Sequence, residues 1–533
     1  MEKRVLIAII LSIAVMYGYS LIFPQPKQPA AVMKAEQVSA PVASTVSPSP
    51  AAAPPSLPAQ NTALPQQAAR DVTIDTDVYR AVVTTASGSL KSLSLKMYRD
   101  IPGAAGKEIV LFNEVNPKNF TLVTEYPGIS QDATLVYSPS TDHLQVSGSD
   151  SKSLELVATT SNGLVVSKTY TFTGNGYGIS LDHSLANRSA AHLDGSVNLL
   201  LRNKSEKPKE DAGRYEVFGP VTKTESAVVF DKLTEVAKGP KSYTTGVKWS
   251  GFGDKYFLNA VLAAKNSIGT LSLKESNGML EQRFMSPTIS LNPGQSATVP
   301  YRLYFGPKDL DILKAQGDQL EQVIDLGWFS AIAKPMLHSL KLFYRYLHNY
   351  GLAIIIITVI LKILFFPLTH KSYKSMKEMQ KLQPKMQQLK EKFKDDRDAM
   401  NREVMELYKT HKVNPLGGCL PMLVQIPVFF GLYKALMFSI ELRHAPFYFW
   451  LQDLSAKDPY YVTPIIMGAT MFIQQKMTPS NMDPVQAKMM LALPIVFTFM
   501  FLNFPSGLVL YWLVNNILTI AQQAYINKSL KEA

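Results

Sequence analysis

Cysteine is almost missing from this chain: Cys419 stands alone in 533 residues. A single thiol excludes a disulfide framework and a cysteine-built metal site, so any exported part must stand on its own core. Histidine is scarce too, and His143, His183 and His192 show no ligand spacing, so no metal is expected. No nucleotide-binding motif occurs. Gly174, Gly176 and Gly178 make a GxGxG run, but no helical pattern follows it and turn glycines are the reading. Asn187-Arg188-Ser189 fits a glycosylation acceptor and reads more simply as loop composition. No catalytic set and no cofactor are expected.

Long apolar runs are what the chain does have. Its mean hydropathy of +0.02 averages a polar, strand-like half with a half dense in such runs. Spans of roughly twenty residues read at Val5–Phe23, Gly351–Thr369, Gly417–Ile440, Tyr460–Met477, Met489–Phe504 and Leu508–Tyr525. Pro464 and Pro494 interrupt two of them, which a membrane helix tolerates when neighbours satisfy the freed carbonyls. Inside the second run stands Lys362. An ammonium near the middle of a spanning helix costs about 2.5 to 3.5 kcal/mol. Two readings stay open: it faces a wet cavity or partner, or it snorkels to the headgroups.

Orientation follows from the basic residues, which favour the cytoplasmic side. Lys3 and Arg4 keep the N-terminus inside, and alternation then places His370–Pro415 in the cytoplasm. That segment holds Lys371, Lys374, Lys377, Lys381, Lys385, Lys390, Lys392 and Lys394. The net charge of +12 therefore reads as an orientation and anionic-lipid signal, with no nucleic-acid substrate implied. The first apolar run exceeds the h-region of a cleavable signal and has no small-x-small site directly behind it, so a retained signal anchor is expected.

Residues 24–67 are rich in Pro, Ala, Ser and Gln and read as a disordered tether. From 68 to 308 short β-rich stretches separated by turn residues read as a β-sandwich. Within it, Asn292-Pro293-Gly294 predicts a hairpin joining Ile289 and Leu291 to Ala297, Val299, Tyr301 and Leu303. The connector Asp309–Asp325 looks helical. After it Trp328, Ile332, Met336, Leu340, Phe343 and Leu347 share one helical face, opposite Lys334, His338, Lys341 and Arg345. Two placements fit, the membrane interface or the surface of the sandwich. In the loop 370–415, Met376, Met379, Leu382, Met386 and Leu389, with Met400, Val404 and Leu407 beyond a polar turn, predict a helical hairpin broken or kinked at Pro384. Its apolar seam is either mutual packing or an adaptable, Met-rich surface for substrate.

Several motifs together carry a resemblance: LQPKM (Leu382–Met386), KVNPLGGCLP (Lys412–Pro421), ELRHAPF (Glu441–Phe447), DLSAKDPYY (Asp453–Tyr461) and FPSGLVLYW (Phe504–Trp512). The region Gly351–Leu530 resembles the YidC membrane-protein insertase family, in its Gram-negative form with a large exported domain. The resemblance implies a bacterial inner-membrane protein with its N-terminus in the cytoplasm. Its fold would be a helical core of six spans, five of them conserved, joined to an all-β periplasmic supersandwich. The expected order is a signal anchor (1–23), tether (24–67), β-domain (68–308), connector with interfacial helix (309–349) and insertase core (350–533). No enzymatic activity is implied. The function would be insertion of nascent membrane proteins, alone or with the Sec translocon, and the hairpin would meet ribosome or targeting receptor.

By position the resemblance makes Lys362 the groove's positive residue, where the family often has Arg, with Thr358 one turn earlier and Trp512 where it often has Tyr. Lysine keeps the charge and loses the planar fork for carboxylates. Gln425, Tyr511, Asn515 and Asn516 are candidate polar linings beside them. Phe429, Met467 and Met500 match an apolar path for substrate, and simple helix packing explains each equally well. A competing reading is a transporter or glycan exporter with a sugar-binding β-domain. It would call for paired halves and an intramembrane ion site, and no internal repeat is seen.

Overall fold

The computed structural model describes residues 69–532 apart from 104, 131, 133–134, 207–217, 265–266, 394–395, 412, 414–419 and 479–483. The expected signal anchor and tether, with Cys419, lie outside the described residues.

The β-domain grows from period-two patterning. In Leu164–Thr173, LVVSKTYTFT, every second side chain is buried, since alternate residues of a strand face one side of its sheet. This strand pairs antiparallel with Ser151–Thr159 and Gly178–Asn187. Gly174 and Gly176 lie in the turn before Gly178, as their spacing predicted. Among the described residues the strands form sheets of ten and nine, with a two-stranded ribbon beside them. Leu93, Phe112 and Leu199 of one sheet share a single buried cluster with Leu181, Tyr301 and Phe305 of the other. One short helix, α1 (Leu233–Val236), interrupts the strands.

One reading of this domain changes. The turn at Asn292–Gln295 is present, with Gln295 N donating to Asn292 O at 3.0 Å, but its flanks do not form a hairpin. Ser296–Pro307 pairs over residues 296–304 with Gly178–Asn187 and over 301–307 with Phe257–Ala263. Ile289–Leu291 pairs with Leu193–Gly195 instead. Asn187 is no glycosylation acceptor as it stands: it is 1% exposed, and its Nδ2 donates to the carbonyls of Ala191 and Leu291.

The connector is α2 (Leu310–Ala315) followed by a 3-10 turn at Leu320–Val323. Asp309 caps α2 by accepting from the amides of Asp311 and Ile312, a standard repair for unpaired first-turn donors. Next comes α3 (Ser330–Leu347), whose Ala333, Leu337 and Leu340 are buried. Its apolar face packs on other helices, not on the sandwich: Leu340 joins the cluster of Ile354, Leu432 and Leu436, and Leu337 sits with Ala435. Trp328 precedes the helix and is exposed.

Helices stand at each later apolar run: α4 (Tyr350–Lys381), α7 (Leu420–Phe438), α8 (Val462–Met477), α9 (Pro484–Phe501) and α10 (Ser506–Glu532). Among the described residues α4 alone is long and apolar enough to cross a membrane by itself, with shorter apolar stretches at Leu423–Phe438 and Met489–Phe501. Its 32 residues extend about 48 Å at ~1.5 Å per residue. Nothing between Thr369 and Leu382 breaks the helix, so the first arm of the expected hairpin is a continuation of α4. Met376 and Met379 thus ride on the helix that carries Lys362. Pro384 stops it, standing in the first turn of α5 (Gln383–Lys392). The return arm α6 (Arg397–Thr410) is capped by Asp396.

Close packing ties these helices together at glycine. A Cβ at Gly468 of α8 would strike Thr498 of α9, one at Gly351 would strike the Phe447 ring, and one at Gly431 would come within 2.7 Å of Ile332.

Candidate functional site

On α10, Asn515, Asn516, Thr519, Gln522 and Gln523 recur at steps of three and four, so they share one face of the helix. Helices α4, α7 and α8 each bring polar side chains to that face. Lys362 Nζ of α4 donates to Thr519 Oγ1 at 2.7 Å, and Thr519 donates back to Asn515 O at 2.6 Å. Gln425 Nε2 of α7 donates to Asn515 Oδ1 at 3.1 Å. Asn516 Nδ2 reaches Thr470 Oγ1 of α8 at 3.4 Å. Farther along, Gln523 Nε2 donates to Tyr373 OH and, at 3.0 Å, to Thr478 Oγ1. Both amide atoms of Gln522 and the Oε1 of Gln523 are buried without a partner, an arrangement that leaves polar capacity unspent. No carboxylate pairs with Lys362 among the described residues; its one hydrogen bond is to a neutral hydroxyl.

The expected lining is therefore brought together only in part. Lys362, Gln425, Asn515 and Asn516 form the stripe. Thr358 is one turn before Lys362 and 1% exposed, but its hydroxyl is spent on the Ile354 carbonyl at 2.7 Å. Tyr511 is 3% exposed within the apolar helix cluster. Trp512 stands in an aromatic group, 4.8 Å from the Phe429 ring and 5.1 Å from that of Phe501. These two aromatics cap the Ser506 end of the stripe, and Tyr511 also joins it through a side-chain hydrogen bond with Gln425. Thr519, Gln522, Gln523, Thr470, Thr478 and Tyr373 were not anticipated. The spacing of the first three along α10 was readable, whereas the others come from helices whose facing could not be read.

The three residues of the expected apolar path differ in burial. Met467 is fully buried and packs inside the helix cluster, so it offers no outer surface. Phe429 is half-buried against Tyr433, Tyr511 and Trp512, while Met500 is well exposed. In the hairpin, Leu382 and Met386 are buried, and Tyr408 OH donates to Met386 Sδ at 2.9 Å; this is the seam of α5 and α6. Met376, Met379 and Leu389 stay half-buried.

Where the two parts of the molecule meet, one cation organises the joint. Lys341 of α3 pairs with Asp309 at 3.1 Å, Asp311 at 2.7 Å and Glu441 at 2.9 Å. Burial opposes its charge, but Glu441, Asp311 and Asp309 together hold the ammonium above its ordinary pKa.

An all-β domain joined to apolar helices that share one buried polar stripe with an unpaired cation defines a class: a helical membrane protein with a large extramembrane β-domain. Two family models match, the 60Kd inner membrane protein over residues 342–533 and the YidC periplasmic domain over 71–339. The membrane protein insertase YidC of Geotalea daltonii is 60% identical over 99% of this chain and 100% of its own length. That of Geobacter sulfurreducens is 56% identical over 100% of this chain and 99% of its own length. The chain belongs to the YidC membrane protein insertase family, and its β-domain is the periplasmic domain of that family.

Among solved structures, an active YidC insertase with its first transmembrane domain resolved is similar at 16% identity and a TM-score of 0.36, covering 85% of this chain and 91% of that one. A galactose mutarotase-like protein from Lactobacillus casei is similar at 10% identity and a TM-score of 0.33, covering 44% of this chain and 100% of that one. Neither likeness is close enough to bear on function.

Proposed function

We propose that this protein receives nascent membrane proteins at the polar stripe and passes them into the bacterial inner membrane, alone or beside the Sec translocon. It works as an insertase and not as an enzyme. The observation that carries the mechanism is Lys362, an ammonium among apolar helices whose bond to Thr519 is one an incoming carboxylate can outcompete. A charge-assisted bond to an anion is roughly twice as strong as a neutral one. A short acidic or polar tail entering from the cytoplasm exchanges with Thr519, and Gln425, Asn515, Asn516, Gln522 and Gln523 replace part of its lost hydration.

In this reading the N-terminus is cytoplasmic, the β-domain periplasmic, and the aromatics Phe429, Phe501, Tyr511 and Trp512 close the stripe toward the periplasm. The substrate's apolar segment meanwhile slides along the lipid-facing side at Met500 and Phe429. Burial of apolar area in lipid, about 25 cal/mol per Å², drives release. Ribosome or targeting receptor meets the basic hairpin, and anionic lipids hold its lysines. A transporter or glycan exporter is not favoured, because the insertase relatives match along the whole chain.

The test is protease protection of a small single-span substrate with an acidic tail, offered to liposomes holding only this protein or its Lys362→Glu variant. Protection that falls tenfold or more in the variant is expected. Equal protection by both would make Lys362 a snorkelling residue, and protection by neither would remove autonomous insertion.

A further inference from the structure

The loop joining α7 to α8, residues 439–461, lies on the β-domain side of the helices. Arg443 within it donates to Asp100 O at 3.4 Å and stands 5.7 Å from the Tyr256 ring, both in the β-domain. From Ala445 to Gln452 the loop reads APFYFWLQ, with no charged residue. Its backbone folds back on itself: Phe447 N donates to Leu451 O at 2.8 Å, and Leu451 N to Tyr448 O at 3.2 Å. The turn throws its aromatics outward. Tyr448 is 50% and Phe449 86% exposed, and Phe449 adopts a φ of +57°, a left-handed backbone that is an outlier for a bulky residue. Tyr461, at the N-cap of α8, repeats the pattern with a φ of +57°, and both it and Tyr460 are exposed. Backbone strain of this kind persists only where the surrounding structure enforces it, and here it holds rings away from the protein.

What adjoins the rings identifies what meets them. On α8, Ile465 and Ile466 follow Tyr461 by about one turn and are exposed as well. The aromatic patch thus continues an apolar helix surface that, in a membrane protein of this family, faces lipid. At its outer end that surface reaches the headgroups, the level at which aromatic side chains with a polar edge are enriched.

The patch is also tied to the helix that carries Lys362. Phe447 packs so closely on Gly351 that a Cβ there would strike its ring, and Asn349 Nδ2 reaches Phe447 O at 3.5 Å. Lys362 stands eleven residues beyond Gly351, about 16 Å along α4 at ~1.5 Å per residue. Half of a hydrocarbon core of about 30 Å is nearly the same length.

We propose that Tyr448 and Phe449, with Tyr460 and Tyr461, anchor this loop in the outer leaflet at the boundary of headgroups and acyl chains, and that the anchor holds Lys362 near the bilayer midplane. The occupant of the patch is the phospholipid bilayer. The anchor itself needs only the membrane location of the helices, whereas the use made of that depth rests on the insertase reading.

The test uses the full chain, with Cys419→Ser removing the native thiol, in vesicles of phosphatidylethanolamine and phosphatidylglycerol. A nitrobenzoxadiazole label is attached at Phe449→Cys or, as a water-exposed reference on the β-domain, at Val115→Cys, where the native side chain is 82% exposed. Iodide should quench the label at 449 at least fivefold less than the label at 115, and a nitroxide near the lipid headgroup should quench it at least threefold more than one deep on the acyl chain. The depth of α4 is read from a label at Ile363→Cys, exposed and next to Lys362. Replacing Tyr448 and Phe449 together by Ser, at exposed positions that spare the fold, should at least halve the quenching of that label by the deep nitroxide. Equal iodide quenching at 449 and 115 would overturn the anchor. So would shielding from iodide that vanishes as the protein is diluted in lipid, which would assign the patch to a second copy of the chain. An unmoved label at 363 would overturn the control of depth. The Lys362→Glu protein keeps the two readings apart, since it should lose insertion and leave quenching at 449 unchanged.

Discussion

Replacing Lys168 by Met should stabilise the β-domain and flatten its response to pH. Lys168 is fully buried, and burial pushes its ammonium down to about 7 from 10.5. Its Nζ donates to Ser87 O at 2.7 Å and Gly88 O at 3.3 Å and lies 4.9 Å from the centre of the Tyr137 ring, with no carboxylate partner. Between these two pKa values the unfolded chain holds a proton that the folded chain has released, so stability rises with pH across that window. Below about 7 both states are protonated and the penalty is complete. At ~1.4 kcal/mol for each tenfold in proton affinity, the charged form is disfavoured by about 4 to 5 kcal/mol. Methionine removes that penalty and leaves the Ser87 carbonyl without its donor, a loss of ~1 to 3 kcal/mol; Gly88 O keeps the Tyr170 hydroxyl at 2.9 Å. The expected net gain at neutral pH is about 2 kcal/mol.

Thermal unfolding of both proteins at pH 7.0 to 9.5 measures this gain. The window avoids neighbouring groups: His183, held neutral by burial and then by Lys168, titrates below it, and Tyr126, Tyr137 and Tyr170, raised by burial, titrate above. Wild-type stability should climb with pH more steeply than the variant's, which keeps only the rise due to buried Lys308, pushed down to about 8. Parallel profiles, or a variant less stable throughout, would refute the argument.

Two further changes probe the helical part. Lys341→Met leaves Asp309, Asp311 and Glu441 facing one another at the joint, and it should loosen the connector by about 3 kcal/mol, read as faster proteolysis at Gln316–Leu326. Gly468→Val forces a branched side chain onto Thr498; overpacking of about 1 to 3 kcal/mol should lower the detergent melting temperature, while Ala469→Val, at an exposed position of α8, should not.

Much of the architecture could be read in advance because local periodicity reports which face of an element is dry. The alternation in Leu164–Thr173 meant a half-buried strand whatever it paired with, and an apolar run around Ile354–Ile357 meant a helix in an apolar setting. Partners are another matter. Ile289 and Leu291 read as half of a hairpin because turn chemistry is local, yet Ile289–Leu291 is taken by Leu193–Gly195, a strand nearly a hundred positions earlier. Met467 fitted substrate path and helix packing equally well, because a methionine in an apolar helix carries no mark of which way it faces.

The sequence by itself determined that a cation lies within an apolar run at Lys362, that one face of α10 is polar from Asn515 to Gln523, and that the chain divides into a β-domain and a helical one. Side-chain chemistry and spacing along one element are enough for each of these. Only the tertiary structure decided that Lys362 meets Thr519, 157 positions away, that Trp512 stands among the rings of Phe429 and Phe501, and that Asn203 and Asn259 meet across two sheets with half their hydrogen bonding unspent. Such contacts depend on how separate faces are rotated against each other, and that rotation is set by the packing of the whole assembly.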